Sequence, residues 1–244
     1  MPALLLIAHG SRDPRHAATV AALVEEVRAQ RPGTEVATAY LDHCAPRIPQ
    51  VVGRLADAVA VPLLLNRAFH AKHDIPAALR AAGSRLPVAD VLGPSPLLLA
   101  ALDRRLAEAG LSVGSPAARA RTGVVLAAAG SSDPAADAAT RAVAAEWRRT
   151  RGWAAVEVAY ASAAGPRVPD ALAALRTAGA ERTAVAPYLL APGLLPDRIA
   201  AAAEDADADL VADVLGPSPE LAALLLHRYD QARHTADTTP ALTA

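Results

Sequence analysis

The octapeptide Ala89-Asp90-Val91-Leu92-Gly93-Pro94-Ser95-Pro96 recurs letter for letter as Ala212-Asp213-Val214-Leu215-Gly216-Pro217-Ser218-Pro219. Chance does not account for such a match, and an internal repeat constrains a fold more than any local propensity does. Nearly the same offset aligns His9-Gly10-Ser11-Arg12-Asp13-Pro14 with Ala129-Gly130-Ser131-Ser132-Asp133-Pro134. It also aligns Ala39-Tyr40 and Pro46-Arg47-Ile48-Pro49 with Ala159-Tyr160 and Pro166-Arg167-Val168-Pro169, and Pro62-Leu63-Leu64-Leu65 with Pro187-Tyr188-Leu189-Leu190. The chain therefore reads as two copies of one unit of about 120 residues, an ordinary domain size. The expected division is a domain over 1–110, a small-residue and proline linker over 111–121, a second domain over 122–233 and a disordered polar tail over 234–244.

Within a copy, short apolar runs alternate with amphipathic stretches. Ala3 to Ala8 reads as a buried parallel strand, and Arg15 to Gln30 places Val20, Leu23, Val24 and Val27 on one helical face before Pro32-Gly33 stops it. A strand near Glu35 to Tyr40, a helix carrying Ile48, Val51, Val52 and Leu55, a strand over Val59 to Leu65 and a helix over Ile75 to Ala82 follow. A fourth strand, Val88 to Leu92, leads through Ser95-Pro96 into a last helix with Leu98, Leu99, Leu102 and Leu106 on one side. Strands alternating with helices imply a parallel sheet covered on both faces. The fold class is α/β: two similar three-layer α/β/α domains, each with a four-stranded parallel sheet of order 2-1-3-4.

Composition narrows the function. With 53% hydrophobic residues the chain is not intrinsically disordered, and 24 basic against 25 acidic residues leave no general basic face for nucleic acid or an anionic membrane. Aromatic residues, at 3%, are too few for base-stacking platforms. The longest apolar runs stop well short of the ~20 residues of a membrane span, and the amino terminus lacks the basic region of a secretory signal, so a cytoplasmic protein is expected. The single cysteine, Cys44, excludes an intramolecular disulfide and a cysteine-rich zinc site.

Of seven histidines, five (His9, His16, His43, His70, His73) lie in the first 73 residues and two (His227, His234) near the end. In an open parallel sheet, ligands bind beyond the carboxyl ends of the strands, where strand order reverses. His9 closes the first strand, Asp42 and His43 follow the second, and the segment Asn66 to His73 follows the third. The order 2-1-3-4 makes strands one and three neighbours, which places His9 opposite His70.

A first strand ending in His-Gly-Ser-Arg, a second ending in aromatic-Leu-acid, a third followed by His70-Ala71-Lys72-His73-Asp74-Ile75-Pro76, and a later Leu-Gly-Pro together resemble the sirohydrochlorin chelatase (class II chelatase) family. The resemblance covers both repeats. It implies a lyase that inserts a divalent metal, Fe2+ or Co2+, into sirohydrochlorin without ATP, in siroheme or cobalamin biosynthesis, using two histidines that match His9 and His70. Insertion displaces two pyrrole protons, and imidazole both accepts protons near its pKa of ~6.5 and ligates first-row metals. His9 and His70 are thus the expected catalytic residues, with His9, His70 and Asp42 as metal ligands. Asp42 stands where the family more often carries Glu. The macrocycle is polyanionic, so Ser11, Arg12, Arg67, Lys72, Ser131 and Ser132 are the expected substrate contacts. No permanently bound cofactor is expected; the metal is a substrate. The expected state is a monomer with a pseudo-twofold repeat, whose partners are the tetrapyrrole and the metal.

Other readings are structural. His43 and His73 read as solvent-exposed, His16 as surface on the first helix, Asp13, Asp133 and Asp74 as helix caps, and Cys44 as inert. The second copy carries Ala129 for His9, Ser162 for Asp42 and Leu194-Leu195-Pro196-Asp197-Arg198 in place of the His70 segment, and so reads as a silent partner. A histidine phosphatase would want Arg directly before the strand-end His, where Ala8 stands. A non-catalytic metal or tetrapyrrole carrier is the alternative.

Overall fold

The computed structural model describes residues 2–55, 57–66, 74–163 and 165–238. The first repeat runs β1 (Ala3–Ala8), α1 (Pro14–Gln30), β2 (Val36–Tyr40), α2 (Ile48–Val52), β3 (Ala58–Pro62), α3 (Ile75–Ala81) and α4 (Pro96–Glu108). A short helix α5 (Pro116–Arg119) leads into β4 (Thr122–Ala128), α6 (Pro134–Arg151), β5 (Ala155–Tyr160), α7 (Val168–Thr177), β6 (Arg182–Pro187), α8 (Leu194–Asp205), β7 (Leu210–Val211) and α9 (Pro219–Thr238). Every strand pair is parallel, and the sheet orders are β2-β1-β3 and β5-β4-β6-β7.

The central strands β1 and β4 are buried along their whole length, as continuous apolar runs covered on both faces should be. On one face of the first sheet Leu5, Ile7 and Ala39 pack with Ile48, Ile75 and Leu79. The second sheet repeats the arrangement, with Val125, Ala127 and Ala159 against Val168, Ile199 and Ala203. Leu4 and Leu6 point to the opposite face and are equally buried, beneath the layer that holds α1 and α9.

Four strands hold for the second sheet and not for the first. The segment Val88 to Leu92 makes a single parallel bridge, Ala60 to Val88, because Pro87 offers no amide and the chain then turns toward the loop after β3. There the amides of Leu92 and Gly93 donate to the carbonyls of Leu64 and Leu65, at 2.9 and 3.0 Å. Leu215 and Gly216 donate in the same way to Leu189 and Leu190, at 2.9 and 3.0 Å. The repeated octapeptide is thus a backbone clasp on the loop beyond the third strand of each copy.

Compaction divides the chain differently from the repeat. One unit is residues 1–95 with 217–244 and the other is residues 96–216, so the last helix of each copy packs in the unit built from the other. Leu221, Leu224, Leu225 and Tyr229 form the apolar stripe of α9, which lies against α1 and β3. Each such side chain contributes roughly 2 kcal/mol on burial. Arg228 donates to the carbonyls of Val91 and Leu92 at 2.9 and 3.0 Å, while its counterpart Arg105 on α4 donates to Leu215 O at 3.1 and 2.9 Å. Each exchanged helix therefore brings an arginine to the octapeptide of the unit it joins.

The expected linker, 111–121, contains α5, capped by Ser115 Oγ accepting the Ala118 amide at 3.2 Å. Residues 234–238, expected as the start of a disordered tail, continue α9 as helix. The rest of that expectation, 239–244, lies outside the described residues.

Candidate functional site

The carboxyl end of β1 and the loop after β2 are stitched mainly by backbone. Leu41 and Asp42 donate to the carbonyls of Ala8 and His9, at 3.0 and 2.8 Å, and Tyr40 donates to Pro46 O at 2.9 Å. The crossing is so close that a Cβ on Gly10, at φ +92°, would sit 1.8 Å from Asp42 O. The second copy reproduces this, with Gly130 at φ +89° and its Cβ position 2.2 Å from Ser162 O. Asp13 and Asp133 cap the helices that follow, accepting from Arg15 N and Ala135 N at 2.9 Å each.

On this shared frame the first copy places its chemistry. His9 is half-buried directly after β1, its Nδ1 lying 3.1 Å from Gly10 O. Donation by Nδ1–H to that carbonyl makes Nε2 the lone-pair nitrogen, suited to a metal or a proton. His43 occupies a left-handed turn, φ 61°, and its ring centroid stands 6.2 Å from that of His9 with 39° between the planes. Between them in sequence, Asp42 Oδ1 accepts the His43 amide at 2.8 Å and the Arg47 guanidinium at 2.9 Å. The His43 amide, then Arg47, holds the Asp42 carboxyl below the usual carboxylate range, so it is ionised at neutral pH. Asp42 Oδ2 lies 3.5 Å from His43 Nε2.

His43 is solvent-exposed, as expected, and the β1–β2 pairing brings its ring beside that of His9. Two structural expectations change. His16 turns inward, its ring 6.3 Å from that of Tyr40, and its Nδ1 is buried without a hydrogen-bond partner. Burial foremost, with the nearby His9, pushes its imidazole below the ordinary value. Cys44 serves the frame, its Sγ donating to Ser11 O at 3.0 Å and accepting the Ser11 amide at 3.4 Å. Asp74 stands at the start of α3 without a side-chain capping bond, since its backbone is helical (φ −73°, ψ −45°) and not extended.

Of the expected substrate contacts, Arg12 and Ser132 are exposed at equivalent positions. Ser11 and Ser131 are half-buried, their hydroxyls accepting the amides of Asp13 and Asp133 at 3.1 and 3.0 Å. Arg67, His70, Lys72 and His73 lie outside the described residues, and with them the expected meeting of His9 and His70. Among the described residues no group of three His, Cys, Asp or Glu side chains is arranged to hold a metal, and no helix is long and apolar enough to cross a membrane.

The second copy keeps the frame and lacks the imidazoles. Ala129 replaces His9, Ala136 replaces His16, and Ala163, again at φ 61°, replaces His43. Ser162 replaces Asp42 and donates its hydroxyl to Ala129 O at 2.7 Å. The segment opposite the His70 motif begins α8, with Leu194 exposed.

To this parallel α/β fold in two copies, with a strand-end imidazole and carboxylate in one of them, sequence comparison adds a family. A family model described as CbiX matches residues 3–109 and again residues 123–232. The sirohydrochlorin ferrochelatase of Priestia megaterium is 29% identical over 242 residues, covering 93% of this chain and 89% of its own length. That of Bacillus subtilis (strain 168) is 30% identical over 207 residues, covering 81% and 77%. Among solved structures, SirB from Bacillus subtilis with Fe3+ superposes with a TM-score of 0.82 at 25% identity, covering 98% of both chains. The chain belongs to the CbiX family of sirohydrochlorin chelatases.

Proposed function

We propose that the protein is a lyase that inserts a divalent metal into sirohydrochlorin without ATP, with Fe2+ preferred over Co2+ and siroheme over cobalamin as the destination. It acts as a cytoplasmic monomer. The observation that carries this reading is the asymmetry between the copies: the same strand-end backbone holds His9 and Asp42 in one and Ala129 and Ser162 in the other. The activities for which the relatives are named, sirohydrochlorin ferrochelatase and sirohydrochlorin cobaltochelatase, support the reaction class.

In this reading His9 and His70 ligate the substrate metal, and His9 is the leading base for the two pyrrole protons that insertion releases. Too few protein ligands to close a four-coordinate site leaves positions open for the macrocycle, whereas a closed site would keep the ion. Asp42, held ionised by the His43 amide and Arg47, raises the local concentration of cations. Arg12, Arg67 and Lys72 meet the carboxylates of the substrate, with Ser11, Ser131 and Ser132 as hydrogen-bonding groups.

The test is the absorption change of sirohydrochlorin on anaerobic mixing with protein and Fe2+ or Co2+. Many turnovers per protein are expected. A plateau at one pigment per protein would establish the carrier instead.

A further inference from the structure

We infer that His43, together with Asp42, is a loading station that captures the incoming divalent metal at the open end of the β2 loop and passes it to His9. The inference rests on the chelatase reading above, and adds to it a residue and an order of events.

Three observations point to it. The first is an internal control. The turn after β2 has the same left-handed residue in both copies, φ 61° at His43 and φ 61° at Ala163, so its backbone does not need an imidazole. The imidazole is present only in the copy that also has His9 and Asp42. The framing residues Gly10, Ser11, Asp13, Tyr40, Pro46 and Arg47 recur in the other copy unchanged, as Gly130, Ser131, Asp133, Tyr160, Pro166 and Arg167.

The second observation is access. The Asp42 side chain is 55% exposed and that of His43 33% exposed, while His9 is half-buried. The His43 amide and the Arg47 guanidinium both bond to Asp42 Oδ1, while Oδ2 is the oxygen turned toward His43 Nε2, at 3.5 Å. A carboxylate oxygen beside an imidazole nitrogen is a ligand pair for a borderline divalent ion.

The third is reach. With metal–nitrogen bonds of about 2.1 Å, two imidazoles sharing one ion bring their ring centroids to about 5 Å. The rings of His43 and His9 are 6.2 Å apart, a separation that a rotamer adjustment of the more exposed ring can close. An ion held by Asp42 and His43 can therefore acquire His9 before it leaves His43. A pair that is never a closed cage holds the ion without trapping it.

The experiment is a Co2+ titration of the full chain in the absence of tetrapyrrole, read by the cobalt d–d absorption, on wild type, His43→Ala and His43→Asn. Ala163 shows that alanine is held at this φ, and Asn is among the residues that favour it. Both variants are expected to bind Co2+ about ten-fold more weakly, with a changed spectrum. In sirohydrochlorin turnover both should raise KM for Co2+ by a similar factor, more than they lower kcat. Affinity and spectrum equal to wild type in both variants would overturn the inference, as would a wild type that binds no Co2+ on its own. His43-dependent Co2+ binding in a protein that inserts no metal would sustain this site and sink the chelatase reading. Normal insertion with His43-independent binding would do the reverse.

Discussion

The loop beyond β2 and the loop beyond β5 have one backbone and two chemistries. In both, the amides that follow the strand cross to the neighbouring strand end, a glycine at positive φ permits the crossing, and an alanine or histidine sits in the left-handed turn. One loop carries Asp42 and His43 beside His9, and the other carries Ser162 and Ala163 beside Ala129. The difference shows which residues the fold demands and which it merely tolerates. Gly10 and Gly130, kept in both copies, serve the shared backbone, and under the proposed function His9, present in one, serves the reaction.

The largest test of the shared part is Gly10→Ala against Gly130→Ala. With a methyl placed 1.8 or 2.2 Å from a carbonyl oxygen and a positive φ besides, each should lose more than about 4 kcal/mol in denaturant unfolding. A neutral Gly130→Ala would break the equivalence.

The next largest effect belongs to the second unit. Asp103 on α4 is buried, accepts the Trp147 Nε1–H at 2.9 Å, and faces the guanidiniums of Arg151 at 3.1 Å and Arg119 at 3.6 Å. Asp103→Ala strands two arginines and an indole, and should cost about 3 kcal/mol, reported by the Trp147 and Trp153 fluorescence. Leu226, the residue at the corresponding place on α9, has no such partners to lose.

The exchanged helices give a matched pair of smaller effects. Arg228→Ala and Arg105→Ala each remove charge-assisted bonds to the octapeptide of the unit they join, and should each lower stability by about 2 kcal/mol in thermal unfolding. A loss at only one of them would show that the clasp differs between the units.

The smallest effect is a pH dependence of opposite sign in the two units. Asp230 on α9 pairs with Arg31 at 2.6 Å, and that bond holds its carboxyl below the ordinary value. Its contribution is complete above the ordinary carboxylate pKa and is lost as pH falls through the lower folded value. Being about a third exposed, the pair is worth under about 1 kcal/mol, and Asp230→Asn should remove that much acid sensitivity from the unfolding midpoint. Burial pushes Asp103 the other way despite its two arginines. Its contribution is complete below the ordinary carboxylate pKa and declines as pH rises through the raised folded value.

The repeat, the run Ala3 to Ala8 and the helical spacing of Val20, Leu23, Val24 and Val27 make the parallel α/β layers legible in the sequence alone. The helix exchange is not legible there, because an apolar stripe says which face of α4 or α9 is buried and not which sheet buries it. His16 is within reach of the same spacing: it stands four residues before Val20, on the buried face, and its counterpart Ala136 is buried. A polar residue in the stripe Leu99, Leu102, Leu106 likewise marks Asp103. His43 needs the turn itself, since only the pairing of β1 with β2 carries it to His9. His9 and Asp42 lie at the strand ends where the apolar runs place them.

The central claim is that metal insertion is performed by the first copy. Its most direct test is the initial rate of Co2+ insertion into sirohydrochlorin by His9→Ala and by Ser162→Ala, measured against wild type. The rate should fall by at least about 100-fold in His9→Ala, the loss of a group that accepts the displaced protons and binds the ion, and stay near wild type in Ser162→Ala. A His9→Ala protein that inserts metal at the wild-type rate would contradict the account.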